Sequence, residues 1–156
     1  MLIARGLINQ PKILILDEPT SGLDPQTRHL LWQKLKELKS QGISQLICTQ
    51  NMEEATLLCE RVAIMHRGKI LDVDTPRKLV SRYIGERLWE IEPSPGEREQ
   101  IIRELQGRHA EYEVANGVVK VFHFEDEEMM RRLWGRPRAA TLEDVFFKLT
   151  GGSLVE

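Results

Sequence analysis

Several things are scarce in this 156-residue chain, and each scarcity closes a route. No apolar run approaches the ~20 residues that a membrane-crossing helix needs. No charged, apolar and small-residue sequence of the secretory kind opens it, so the expectation is a cytoplasmic protein. There are only two cysteines, Cys48 and Cys59, and they form no CxxC pair. Both sit among apolar neighbours, so reduced, buried, structural thiols are expected. The four histidines, His29, His66, His109 and His123, show no metal-ligand spacing and read as surface or packing residues. The net charge of −2 lacks the basic excess of a nucleic-acid binder.

What is present describes an ordinary soluble globular chain, 41% hydrophobic and 29% charged, long enough to bury a real core. Charge is unevenly spread. Residues 1–85 carry 12 Lys/Arg against 9 Asp/Glu, and residues 86–156 carry 10 against 15. That shift predicts a boundary near 85.

The first part reads as an α/β layer. Residues 1–9 (MLIARGLIN) look like the tail of an apolar helix. Residues 13–16 are too short and too apolar for a surface helix, and predict a strand buried on both faces, as in parallel sheets. Asp24 followed by Pro25 predicts a helix start, running to about Ser40 with Leu31, Leu35 and Leu38 on one face and Gly42 just past its end. Residues 45–49 predict a second buried strand and 52–60 a short helix. A hairpin with Arg67-Gly68 at its turn comes next, then a helix capped by Thr75 and ending near Gly85. The remainder predicts a small α+β unit. It has a strand at 87–92, a helix at 96–106, a hairpin about Asn116-Gly117, and helices at 125–134 and 141–150, the last capped by Thr141. Trp32, Trp89 and Trp134 are expected to pack locally. Acids then bases along EDEEMMRR suit a helix macrodipole, and Met129 and Met130 read as core.

The chemistry concentrates in ILILDEPTSGLDP, residues 13–25. In open α/β sheets, ligands bind beyond the carboxyl ends of the strands. A carboxylate leaving an apolar strand there suits Mg²⁺ held largely through water, and its neighbour, pointing the other way, can act on an attacking water. The bland alternative is two acids capping a turn, and "DE" alone favours it. The full string, however, resembles the Walker B segment and D-loop of ATP-binding cassette (ABC) ATPases. IARGLINQPK is similar to the helix leading out of that family's signature motif. QLICTQNMEEATLLCERVAIMHRGKIL resembles the strand, switch residue, helix and hairpin that come after the D-loop. PRAATLEDVFFKLTG, at 138–151 with its flank, is similar to the C-terminal ending of the drug-exporter, daunorubicin-resistance-type branch.

The resemblance implies a fold, a chemistry and partners. The fold is α/β, the C-terminal part of a P-loop NTPase cassette with parallel core strands (1–85) and then a small α+β accessory or regulatory domain (86–156). The cofactors implied are ATP and Mg²⁺. Asp17 would help hold Mg²⁺, and Glu18 would orient or deprotonate the water attacking the γ-phosphate. Ser21, Gly22, Leu23 and Asp24 would form the D-loop that crosses to a second nucleotide-binding subunit in a head-to-tail dimer. Gln50 stands where most of the family has a switch histidine. Gln donates a hydrogen bond but cannot become cationic, and a charge-assisted contact is about twice as strong. The drug-exporter branch often carries Gln here. A membrane permease would be the other partner, with the protein peripheral on the inner membrane face and no nucleic acid bound.

One family feature is absent from the string. GxxxxGK[ST] is needed because backbone N–H groups and a Lys cradle the phosphates. The single Gly-Lys, Gly68-Lys69, has Ala63 where the first Gly belongs and Ile70 where Ser/Thr belongs. Leu149–Ser153 (LTGGS) resembles the LSGGQ signature, but it comes after a helix and reads as a glycine C-cap with its tail. The expectation is therefore an ABC exporter ATPase piece, inactive alone. Two alternatives are a non-catalytic module pairing with a complete cassette and a DNA-maintenance ATPase fragment; the acidic tail and the TLEDVFFKLTG ending argue against the latter.

Overall fold

The computed structural model describes residues 6–151 apart from Ile8. The helix expected over 1–9 falls largely outside the described residues; Gly6 and Leu7 are helical. The chain divides into two compact units, one ending at Val62 and the other beginning at Ala63.

In the first unit, β1 (Ile13–Asp17) lies parallel to β2 (Ser44–Cys48), in register from Ile13 opposite Ser44 to Asp17 opposite Cys48. Parallel neighbours need a crossover, and α1 (Pro25–Ser40) supplies it. Asp24 caps α1 by accepting from the Thr27 N–H at 3.0 Å, Pro25 opens the first turn, and Gly42 lies past the end at φ +87°. A short α2 (Met52–Leu58) is capped by Asn51, whose Oδ1 accepts from the N–H groups of Glu53 and Glu54. The core joins Leu14 and Leu16 to Trp32, Leu35, Leu38 and Leu58. Each fully buried Leu contributes about 2 kcal/mol by area.

Two expectations for this unit are corrected. β1 is buried on one face only: Leu14 and Leu16 are buried, whereas Ile13 and Ile15 are 65% and 70% exposed, with Leu46 of β2 at 58%. The helices cover one side of a two-stranded sheet, and among the described residues nothing covers the other. Cys48, on the same alternation as Leu46, is exposed rather than buried. Cys59 is half-buried, and burial pushes its thiol up against the opposing pull of Lys39.

The second unit opens with the hairpin of β3 (Val62–His66) and β4 (Lys69–Asp74). Both turn residues, Arg67 (φ +47°) and Gly68 (φ +74°), are left-handed, as a two-residue hairpin turn requires. α3 (Pro76–Tyr83) starts at its Thr75 cap, and Arg82 binds back to Asp72 and Asp74 at 2.6 and 2.7 Å. A four-stranded antiparallel sheet then forms in the order β6-β7-β5-β8. Its strands are β5 (Arg87–Ile91), β6 (Glu111–Ala115), β7 (Val118–Phe122) and β8 (Arg136–Ala139). β6 and β7 turn at Asn116-Gly117, both at positive φ. α4 (Arg98–Gly107) and α5 (Glu127–Arg132) join Trp89, Ile91, Val119 and Val121 in the main core, through Ile101, Leu105, Met129 and Met130. α6 (Leu142–Thr150) closes the unit with a Thr141/Asp144 capping box and ends at Gly151, φ +69°, which is the glycine C-cap read from the sequence.

The break at 62/63 differs from the boundary drawn from charge at 85. α3 packs on α6, and Lys148 Nζ donates to the Tyr83 carbonyl at 2.6 Å, so the hairpin and α3 fold with the C-terminal sheet and helices. β8 is a strand that the sequence pattern does not announce. Its RPRA string contains a proline, which belongs on an edge strand, and an edge is where β8 sits. Trp134 is likewise a correction: it is 85% exposed.

Candidate functional site at the carboxyl ends of two parallel strands

Every candidate site residue lies in the first unit, where β1 and β2 end side by side. Asp17 is the last residue of β1 and its side chain is exposed. Glu18 continues the ladder by one bond, its N–H donating to the Cys48 carbonyl at 2.8 Å. Its backbone then turns left-handed, φ +44°, a conformation uncommon outside glycine and costing of order 1 kcal/mol. That turn separates the two neighbouring carboxylates. Asp17 keeps its carboxylate free of hydrogen bonds and ion pairs among the described residues. Glu18, half-buried, accepts the Gln50 N–H on Oε1 at 2.9 Å. Two residues 32 positions apart are thereby brought into direct contact.

The loop from Ser21 to Asp24 is built from two overlapping turns. Ser21 N–H donates to the Glu18 carbonyl at 3.1 Å and Leu23 N–H to the Thr20 carbonyl at 3.2 Å. Gly22 sits at φ +73° with open space around it, and Ser21 and Gly22 are exposed. Thr20 is buried and anchors the loop. Asp24 is committed to capping: the Thr27 hydroxyl and N–H both bond to its carboxylate, and those bonds hold the carboxyl below its usual range.

The site therefore brings Asp17, Glu18 and Gln50 to one sheet end, with Ser21–Asp24 as the exposed loop leaving it. Among the described residues no group of three His, Cys, Asp or Glu side chains forms a protein metal cage. A single unengaged carboxylate at a strand end fits a different kind of metal, Mg²⁺, which keeps several waters and takes one or two carboxylates plus substrate phosphates. Asp17 has the chemistry for that ligand.

Two features go beyond the sequence reading. Asn51 fixes the start of α2 directly after Gln50; an Asn next to Glu-Glu on its C-terminal side, one residue on, is a legible cap signal. Glu54 is fully buried and accepts the Trp32 indole N–H at 3.0 Å, tying α2 to α1, while its second oxygen has no partner. No local signal announces that pair.

No protein-family model matches the chain. Among curated proteins, it is 39% identical over 158 residues to the Nod factor export ATP-binding protein I of Burkholderia orbicola (strain AU 1054), covering 97% of this chain and 51% of that one. The corresponding protein of Mesorhizobium japonicum is 33% identical over 162 residues, covering 100% and 47%. Among solved structures, cbiO1 of Clostridium perfringens, part of the ABC transporter complex cbiONQ, matches at 29% identity with a TM-score of 0.45, covering 68% of this chain and 36% of that one. The chain spans about half the length of the curated relatives it matches. With the 13–25 string seated at the carboxyl ends of two parallel strands and this identity along nearly its whole length, the chain belongs to the ATP-binding proteins of ABC transporters.

Proposed function

We propose that this chain supplies the carboxylate and switch side of the ATP-hydrolysing site of an ABC-type exporter. The observation that carries the proposal is the Gln50 N–H to Glu18 Oε1 bond, which couples the two residues expected to meet the γ-phosphate and its attacking water. Asp17 faces solvent as an Mg²⁺ ligand. Mg²⁺, when bound, supplies charge neutralisation on the phosphates. Glu18 orients the attacking water and takes its proton. The hydrogen bond to Gln50 holds that carboxylate in place, and the Gln50 side chain offers a neutral donor to phosphate. Ser21–Asp24 reaches a second nucleotide-binding subunit, and a membrane permease receives the work, with the protein held at the inner membrane face. Residues 86–156 serve as an accessory domain, and the hairpin and α3 that the cassette reading assigns to residues 1–85 pack with it in the second unit.

Phosphate binding must come from outside these 156 residues, because the sequence holds no GxxxxGK[ST]. The same observation favours a second reading, a non-catalytic module that lends this side of the site to a complete cassette. Calorimetry with Mg-ATP on the chain alone, with Asp17→Asn as control, is expected to show no binding; binding abolished by Asp17→Asn would mean that the half-site suffices. A chimera in which this chain replaces the matched half of the Burkholderia relative separates the two readings. If the residues are catalytic, the chimera hydrolyses ATP, and Glu18→Gln lowers turnover by roughly 10²–10⁴ with nucleotide still bound. A chimera that binds ATP and does not turn over supports the non-catalytic module.

A further inference from the structure

Gln50 is exposed and stands between the end of β2 and the first turn of α2, with its N–H spent on Glu18 Oε1 at 2.9 Å. Its position therefore depends on where α2 starts. Asn51 caps α2, its Oδ1 accepting from the N–H groups of Glu53 and Glu54 at 3.0 and 3.1 Å. A polar N-cap with Glu at the third helical position commonly closes a reciprocal box, in which the Glu side chain reaches back to the N–H of the cap. Here Thr49 Oγ1 accepts the Asn51 N–H instead, at 3.0 Å. Glu54 is thereby released from the local task, and its side chain turns inward.

That setting is costly. Glu54 is fully buried, and of its two oxygens only Oε1 has a partner, the Trp32 indole N–H at 3.0 Å. Trp32 is itself buried, with the His29 ring 5.1 Å from its own. The other buried side-chain atom without a partner among the described residues is Arg28 Nε, one turn before Trp32 on α1. A seam selected for stability alone would carry apolar residues here, because replacing both members of such a pair by apolar groups of the same shape is close to neutral or stabilising. Apolar packing is non-directional, however, and a hydrogen bond fixes geometry that packing leaves free. What the Trp32–Glu54 bond fixes is the near end of α2. Lys39 holds the far end, its Nζ donating to the Leu58 carbonyl at 2.9 Å.

Resting on the hydrolytic reading above, we propose that Glu54 is a positioning residue for the Glu18–Gln50 pair. Its bond to Trp32 sets the first turn of α2 against α1, and the Asn51 cap passes that setting to Gln50.

Amide exchange followed by NMR on the 156-residue chain tests it. Trp32→Phe removes the donor and should let the Gln50 amide exchange at least about tenfold faster, while the amides of the β1–β2 ladder keep their protection. The double change Trp32→Phe, Glu54→Met also removes the carboxyl left without any partner. Its Tm should rise above that of Trp32→Phe, yet the Gln50 amide should stay as loose. Glu54→Gln keeps an oxygen for the indole and should leave Gln50 as in the wild type. In the chimera described above, the double variant should lower kcat at least about tenfold with KM for ATP unchanged, and Glu54→Gln should retain turnover. A Gln50 amide indifferent to Trp32→Phe overturns the proposal. So does protection of Gln50 that falls and recovers in step with the Tm, which marks a purely structural tie. Glu54→Gln loosening Gln50 as much as the double change overturns it as well, and so does an active chimera whose kcat ignores the double change. A parent chimera without turnover removes the hydrolytic reading alone, and exchange at Gln50 still decides whether Glu54 positions it.

Discussion

The two units solve the problem of burying a sheet with opposite success. In the first, parallel β1 and β2 have helices on one side and leave Ile13, Ile15 and Leu46 in water on the other. In the second, four antiparallel strands bury Leu88, Val119 and Val121 completely, beside Leu105, Met130 and Val145. A parallel sheet belongs in a fold that covers both faces, whereas an antiparallel sheet can leave one face solvated. Two strands are also too few for independent stability. The first unit therefore has the local structure of a cassette without its full enclosure. The second has its own closed core.

The largest test of this contrast is aimed at what makes the second unit self-sufficient. Arg138 grips Asp144 with two bonds of 2.6 and 2.7 Å, Lys120 adds a third at 3.1 Å, and Glu90 takes the Arg138 Nε at 2.8 Å. Asp144→Ala leaves two cations facing a buried vacancy. It should cost about 3 kcal/mol, the low end for a broken buried pair, because Arg138 keeps 33% of its side chain exposed. Amide exchange should show protection lost in the second unit and kept in the first. The same carboxylate gives a pH dependence. Burial alone would raise it, but bonds from Arg138, Thr141 and Lys120 outweigh burial and hold it well below the usual carboxylate range. A group depressed in the folded state stabilises fully above its unfolded value, and that stability is lost as pH falls. Acid titration monitored by circular dichroism should show the second unit weakening below about pH 4.

A smaller effect is expected in the first unit. Trp32→Phe keeps the ring and removes the donor to Glu54, whose other oxygen is already unpartnered. The buried carboxylate is then unsatisfied at both oxygens, at a cost of about 1–3 kcal/mol in urea unfolding. Smallest in stability is the double change Ile13→Thr, Ile15→Thr on the bare face, within about 0.5 kcal/mol. Its consequence should appear in light scattering, as less aggregation at high concentration.

The parts of the fold that are local in sequence were legible. Asp24-Pro25, Thr75-Pro76 and Thr141 mark helix starts because a cap needs only a side-chain oxygen and the next turn. Arg67-Gly68 and Asn116-Gly117 mark hairpins because few residues accept positive φ. The carboxylates of the site were legible through their motif and their place at a strand end. What the residues did not disclose is long-range. The Glu18–Gln50 and Trp32–Glu54 bonds span 32 and 22 positions and leave no periodic trace. The 62/63 break depends on α3 meeting α6, and the exposure of Ile13 and Trp134 depends on what does not pack against them. β8 hides because four residues with a proline resemble a loop until β5 pairs with them.

That last pairing also sets a timetable. β5 lies between β7 and β8, and its Glu90 meets Arg138 across 48 positions of chain. During synthesis β5 stays an open edge until nearly the whole second unit has emerged, while β1 and β2 can join as soon as α1 has formed between them. Pairings of long sequence separation form slowly. The nascent chain thus passes through a stage in which the bare isoleucine face and an unfinished sheet edge are exposed together, the stage at which a chaperone would be most useful to it.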